Sequence, residues 1–494
     1  MQTSRRRFFG RTGLLAGSAI GFPQIIRSAE PEAPLPERRP QHIIHLVADG
    51  MCWSTFTMGN AFSQLRRQRG LRWFELLHRE EATVTAVDMR SLNSLVTDSA
   101  AASSSWGSGS RVVNGALNVL PDGRELRPLM PLFKEAGWKR GLVTTTEITH
   151  ATPAGFAATI SSRGDAEDIA QQYLDRSIEV LLGGGRKFFE ATKRKDKVDL
   201  HRAFRDRGYT VCQDAAALAD APNDRPWLGT FAAGHLPFTL DRDHDAKLQR
   251  KVPSLADMTR RALDKLGRET HFLLQVEGGR VDHACHGCDI AAAVRELVAF
   301  DEAIEVCLEF QQRFPDTLLV LTTDHGTGGP ALNGLGTAYG SSSPLFANLL
   351  RAKRSFEAFG DEIPKEPAAE AVRRLLADAT GYEVPETELK RFLEFLEGRW
   401  KPLFSGMNGR AMQLGQLLAN HYGVSWTSGA HTIDYAPLVA LGPGAALFRG
   451  FQKNTDVFRH YTALAGIDYR NPELPLLAEC APAAADVEPP CLPA

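Results

Sequence analysis

Cysteine is scarce: seven residues in 494, at positions 52, 212, 285, 288, 307, 480 and 491. An odd and scattered set excludes the dense, even-numbered disulfide framework of a small secreted domain. Net charge is nearly absent too, since 57 lysines and arginines face 59 aspartates and glutamates. No overall field therefore draws the chain to nucleic acid or to an acidic membrane surface. Beyond the N-terminal stretch no run reaches the ~18 consecutive apolar residues that cross a bilayer, so stable membrane insertion is not expected. No internal repeat is found.

What is present suits a globular protein: 43% hydrophobic and 23% charged residues, enough for one large core or two ordinary ones. The N-terminus reads Ser4-Arg5-Arg6-Arg7-Phe8-Phe9 and continues into a mildly apolar stretch from Gly13 to Phe22. That order predicts a twin-arginine signal over residues 1–29, with the twin-arginine machinery exporting a folded protein to the periplasm or outside. Arg27-Ser28-Ala29 is a poor small-x-small cleavage site, which leaves an uncleaved N-terminal anchor open.

Residues 30–40 read as a polar linker and 471–494 as a tail rich in proline and alanine. Between them, apolar runs at Ile43–Ala48, Gly141–Thr145, Val180–Leu182, Phe272–Val276, Leu318–Thr322 and Leu438–Leu441 alternate with amphipathic stretches. This pattern predicts an α/β core, 41–335 and 426–470, interrupted at 336–425 by a mainly helical, charged insertion that caps it.

In open α/β sheets ligands bind beyond the carboxyl ends of strands. Asp49, Glu277 and the pair Asp324-His325 each follow an apolar run. Asp282 and His286 are four residues apart, on one face of a helical turn, and His431 precedes the last run. Asp282, His286 and His431 suit zinc with one position left for substrate, as do Asp49, Asp324 and His325. Asp49, Thr152 and Glu277 offer the hard oxygen donors that magnesium prefers, so that Asp49 bridges two metals. Any one of these residues alone has an ordinary explanation as a turn or a solvated side chain. Correct donor types at four strand ends together do not.

The nucleophile candidate is Ser99, which opens a helix-favouring alanine run in Val96-Thr97-Asp98-Ser99-Ala100-Ala101-Ala102-Ser103. Helix amides can face a phosphate there, and a metal would activate the otherwise weak hydroxyl. Without metals, Asp98 or Ser99 would simply cap a helix.

The segment Thr97-Asp98-Ser99-Ala100-Ala101 resembles the nucleophile segment of the alkaline phosphatase family, and Trp106 and Asn114-Gly115-Ala116 follow in register. The resemblance continues through Thr149-His150-Ala151-Thr152-Pro153-Ala154, Arg163, Val276 to His283, Thr322 to Gly326 and Ser428 to Thr432. It spans roughly two-thirds of the chain and leaves the insertion and tail unmatched. It implies a three-layer sandwich, with a central, mostly parallel β-sheet between helices, that hydrolyses phosphate monoesters through a phosphoserine on Ser99. Two Zn2+ and one Mg2+ are implied on the residues named above, with Arg163 clamping two phosphate oxygens. His150 and His283 stand behind them, at positions where other members carry aspartate and lysine. Many members are dimers, so a homodimer is left open.

A related phosphodiesterase or phosphonate hydrolase is the alternative enzyme, and a silent metal- or phosphate-binding protein the alternative class. A sulfatase is set aside because no C-x-P-x-R segment exists. Cys285 and Cys288, inside the metal segment, read as packed thiols or a local bridge, since no second thiol pair completes a sulfur-bound zinc.

Overall fold

Strand His42–Val47, with every residue buried, is the axis of the molecule. The computed structural model describes residues 35–334, 336, 338–364 and 368–477. The expected export signal, the end of the tail, Cys480 and Cys491 lie outside the described residues.

In chain order the strands are β1 (His42–Val47), β2 (Thr83–Asp88), β3 (Lys139–Glu147), β4 (Val180–Gly184), β5 (Thr210–Cys212), β6 (Trp227–Thr230), β7 (Phe272–Glu277) and β8 (Thr317–Thr322). They continue as β9 (Gly326–Thr327), β10 (Ala331–Leu332), β11 (Val424–Ser425), β12 (His431–Thr432), β13 (Ala436–Leu441) and β14 (Gln452–Lys453). Ten form one sheet in the order β14-β2-β13-β8-β1-β7-β3-β4-β6-β5. Strand β13 is antiparallel to both its neighbours, and every other pair in this sheet is parallel.

Alternation along the central strands feeds two separate cores. Ile43 and Val47 join Leu273, Leu318 and Val320 on one face, under helices Ser99–Ser108, Ala151–Ala157 and Asp456–Ala465. Ile44 and Leu46 join Leu274, Val276, Leu319 and Leu321 on the other, under Trp53–Arg67, Leu255–Leu266 and Ile290–Arg313. A strand buried on both sides reads as a continuous apolar run because every residue faces a core. Each such side chain contributes roughly 1.5–3 kcal/mol on leaving water. The result is a sheet between two helical layers, the expected α/β sandwich.

The mainly helical insertion carries helices Ser342–Ala347, Phe356–Gly360, Ala369–Thr380, Glu386–Leu396, Arg410–Leu417 and Ala419–Tyr422. Its two ends meet where β10 pairs with β11, Ala331 opposite Ser425 and Leu332 opposite Val424. It packs on the second core through Phe346, Leu349 and Phe356. Arg295 donates to the Leu349 and Ala352 carbonyls at 2.8 and 3.2 Å, and Arg280 donates to both carboxylate oxygens of Glu357 at 2.7 Å.

Candidate active site

Register delivers the acidic residues to one edge. Val47 of β1 pairs with Glu277 of β7 on one side and Thr322 of β8 on the other, so Asp49 and Asp324 both stand two residues past the aligned ends. Strand β3 runs parallel to β7 and passes through His150 into the helix that carries Thr152. Because β13 is reversed, its amino end shares this edge. The segment before it supplies His431, held in β12 against β9.

Three groups form there. Asp282, His286 and His431 come together at the first: His286 Nε2 lies 3.1 Å from His431 Nε2 and 3.3 Å from Asp282 Oδ2. Two imidazole nitrogens on one tetrahedral zinc would sit about 3.3 Å apart. Asp49, Asp324 and His325 form the second group, with His325 Nε2 3.1 Å from Asp324 Oδ2 and 3.7 Å from Asp49 Oδ1. Asp49, Glu277 and His150 form the third, and Thr152 joins by donating to Asp49 Oδ2 at 3.0 Å.

The donor atoms fit cations. Asp49 Oδ1, Asp324 Oδ2, Glu277 Oε1 and His150 Nδ1 are buried without a hydrogen-bond partner among the described residues. Buried carboxylate oxygens left unpaired are costly, and a metal ion removes that cost. Electrostatics says the same. Burial, then the carboxylates of Asp324, Asp282 and Glu277, push Asp49 well above the usual range, and burial lifts Glu277 to about 7. Burial would raise Asp282 too, but the imidazoles of His286, His431 and His325 hold it well below the usual range. Asp282 in turn outweighs burial at His286, which rises to about 9.

Backbone carbonyls orient the ligand histidines. His286 Nδ1 donates to Gly429 O at 2.6 Å and His431 Nδ1 to Thr97 O at 2.8 Å, turning each Nε2 toward the acids.

Ser99 is the first residue of its helix and is buried, with Oγ 3.2 Å from His325 Nε2. Asp98 is the N-cap, its Oδ1 accepting from the Ala101 amide at 2.9 Å. Its Oδ2 accepts from the Gly115 amide at 3.0 Å and from Arg163 Nη1 at 3.1 Å. The other fork of Arg163, Nη2, reaches His150 Nε2 at 3.0 Å. His283 completes the group, its ring centroid 5.5 Å from that of His150, so the twelve candidate site residues of the sequence gather on this edge.

The sequence profile of one family, alkaline phosphatase, matches residues 40–467. The chain belongs to the alkaline phosphatase family. Alkaline phosphatase 3 of Bacillus subtilis is 31% identical over 464 residues, covering 90% of this chain and 94% of that protein. The solved alkaline phosphatase of Thermus thermophilus is 35% identical with a TM-score of 0.84, over 90% of this chain and 95% of that one. A cold-active alkaline phosphatase of Shewanella is 28% identical with a TM-score of 0.69, over 86% and 99%. As an alkaline phosphatase family member the chain is a metal-dependent hydrolase of phosphate monoesters.

Some residues around this alkaline phosphatase site were not anticipated. Thr327 donates to Asp282 Oδ1 at 2.6 Å and lies 3.3 Å from His325 Nδ1, linking the first two groups. Thr144 and Thr146 both donate to Glu277 Oε2. The His235 ring lies tilted against that of His283, with ring centroids 4.3 Å apart. Its only sequence signal is its place, a few residues past β6. Cys285 and Cys288 are buried free thiols, so the packed alternative holds and the local bridge does not.

Proposed function

We propose that this chain cleaves phosphate monoesters by attack of Ser99, with Asp282, His286 and His431 holding one zinc and Asp49, Asp324 and His325 a second. Asp49, Thr152 and Glu277 hold a magnesium. The observation that carries the reading is the set of buried acceptors with no hydrogen-bond partner among the described residues, Asp49 Oδ1, Asp324 Oδ2 and Glu277 Oε1, beside a serine that opens a helix. Bound there, the cations supply positive charge that favours the serine alkoxide and stabilises the attacking and departing oxygens.

This chain's own residues do the rest. Ser99 Oγ forms a bond to phosphorus as the bond to the alcohol oxygen breaks and the alcohol leaves; water then bonds to phosphorus as the Ser99 Oγ–phosphorus bond breaks, giving inorganic phosphate and the free serine. The Arg163 fork, anchored by Asp98, suits two oxygens of a dianionic monoester. That anchored fork disfavours a diester, which has only one non-bridging charge. His150 stands beside the magnesium set, its Nδ1 facing Asp49 and Glu277 and its Nε2 bonded to Arg163.

The test is hydrolysis of p-nitrophenyl phosphate and its bis-ester at alkaline pH, before and after chelation and with zinc plus magnesium restored. Monoester preference, lost on chelation and regained with metals, is expected; bis-ester preference would replace this reading with the diesterase. Ser99→Ala is expected to keep its metals and lose turnover by on the order of a thousandfold or more.

Export rests on Ser4 to Phe22 and the twin-arginine machinery, and delivers the enzyme to the periplasm or beyond. Among the described residues no helix is long and apolar enough to cross a membrane. A homodimer, proposed on the family resemblance, is read from sedimentation.

A further inference from the structure

The histidines of this edge divide into two kinds according to what holds their committed nitrogen. A neutral imidazole has one N–H and one lone pair, so a partner that fixes one nitrogen decides the other. His286 and His431 spend Nδ1–H on backbone carbonyls. Thr327 gives its hydroxyl proton to Asp282, so its oxygen accepts from His325 Nδ1. All three therefore turn an Nε2 lone pair inward, as metal ligands must.

The second kind is the reverse. His235 Nδ1 accepts from the Glu147 amide at 3.1 Å. His283 Nδ1 lies 2.9 Å from Arg280 Nη1, and a guanidinium can only donate. Each ring thus has its lone pair occupied and its proton on Nε2, and on these half-buried rings no hydrogen bond to a described residue engages Nε2. Their centroids are 4.3 Å apart, and both stand edge-on to His150, at 5.8 and 5.5 Å. His150 is the ring on which Arg163 rests.

Nearby cations are already engaged: Arg280 with Glu357, and Lys187 with Glu147 at 2.6 Å. The two N–H groups are not. Arg280 is itself fixed, its guanidinium 3.8 Å above the Phe238 ring. The two rings are therefore each pinned at Nδ1, one by the Glu147 amide and the other by Arg280, as pre-organised sites require.

We propose that His235, with His283, presents a fixed pair of Nε2–H donors to an oxyanion, extending the phosphate site beside His150. The proposal rests on the monoesterase reading for its ligand but not for its tautomers. The oxyanion is either the phosphoryl group itself or a second acidic group on the leaving alcohol. His235 is thus a binding residue that the family's metal and nucleophile set leaves out.

The test compares the metal-loaded wild type with His235→Ala and with His235→Gln, whose amide keeps an N–H at the Nε2 position. Calorimetry gives the Kd of inorganic phosphate. Steady-state rates give KM for p-nitrophenyl phosphate and for an aryl phosphate whose phenol bears a carboxylate. Losing a hydrogen bond to a charged group predicts about a tenfold weakening in the alanine variant, carried mainly by KM, and within about threefold in the glutamine variant.

A shift shared by phosphate and both substrates identifies the phosphoryl oxygens. A shift confined to the carboxylate-bearing substrate identifies a second acid. Unchanged constants in all three, or equal losses in the alanine and glutamine variants, overturn the proposal. Independently, long-range 1H–15N spectra of histidine-labelled wild type are expected to show Nε2–H at His235 and His283. An Nδ1–H tautomer at either overturns it, whereas correct tautomers and phosphate binding without turnover would sink only the monoesterase reading.

Discussion

Asp98 serves as helix cap with one oxygen and as anchor of Arg163 with the other. Asparagine caps a helix about as well as aspartate but makes a weaker partner for a guanidinium. Asp98→Asn is therefore expected to leave stability within about 0.5 kcal/mol while weakening phosphate binding severalfold. Equal effects on both, read from denaturant melts and calorimetry, would mean that the residue does not divide its work this way. The sequence pointed to Ser99 because a nucleophile has neighbours of recognisable type. Nothing local marked Thr327, Thr144 or His235, since their partners lie 45, 133 and 88 residues away.

Glu296, buried on helix Ile290–Arg313, accepts from the Thr239 amide. Burial pushes its carboxyl from an ordinary 4.5 up to about 7. A raised carboxyl contributes stability that is complete below its unfolded value and lost as pH rises through the folded one. This group thus weakens the fold between about pH 4.5 and 7, by about 3 kcal/mol in total. Glu296→Gln keeps the acceptor, so the variant is expected to gain stability on the wild type as pH rises through that window. Parallel stability curves would refute the assignment.

At the scale of elements, what the sequence made legible was what burial made monotonous. The six apolar runs fall in β1, β3, β4, β7, β8 and β13, which occupy the middle of the sheet. Strand β2 mixes exposed and buried residues beside a two-residue edge strand, and β5 and β6 are only three and four residues long. None has a run long enough to separate from a loop. The helical character of 336–425 was legible from periodicity, but its grip on the site was not, because Arg280 and Glu357 are 77 residues apart. Removing that carboxylate leaves the buried guanidinium with less than it was built around. Glu357→Ala is expected to cost about 1–3 kcal/mol, visible as a lower Tm; an unchanged Tm would show the pair to be ornamental.

At the scale of the whole molecule, four carboxylates, Asp49, Glu277, Asp282 and Asp324, are buried together at one edge of the sheet. Such a fold is completed by cations, and its stability is linked to their concentration. Each site held at a hundredfold excess over its Kd adds about 2.7 kcal/mol. Chelation is therefore expected to lower Tm by several degrees, with recovery on adding zinc and magnesium. A Tm indifferent to chelator at constant ionic strength would mean that the acids are satisfied some other way.

The short ladder between β10 and β11 sets where change is tolerated. A chain that departs and returns at one point can grow, shrink or be exchanged without rethreading the sheet, since lengthening a loop between fixed ends costs little. Descendants of this sequence are thus free to rewrite the segment between those two strands wherever it leaves untouched Glu357, which holds Arg280, and the core contacts of Phe346, Leu349 and Phe356. Divergence in lineage is expected to accumulate there first.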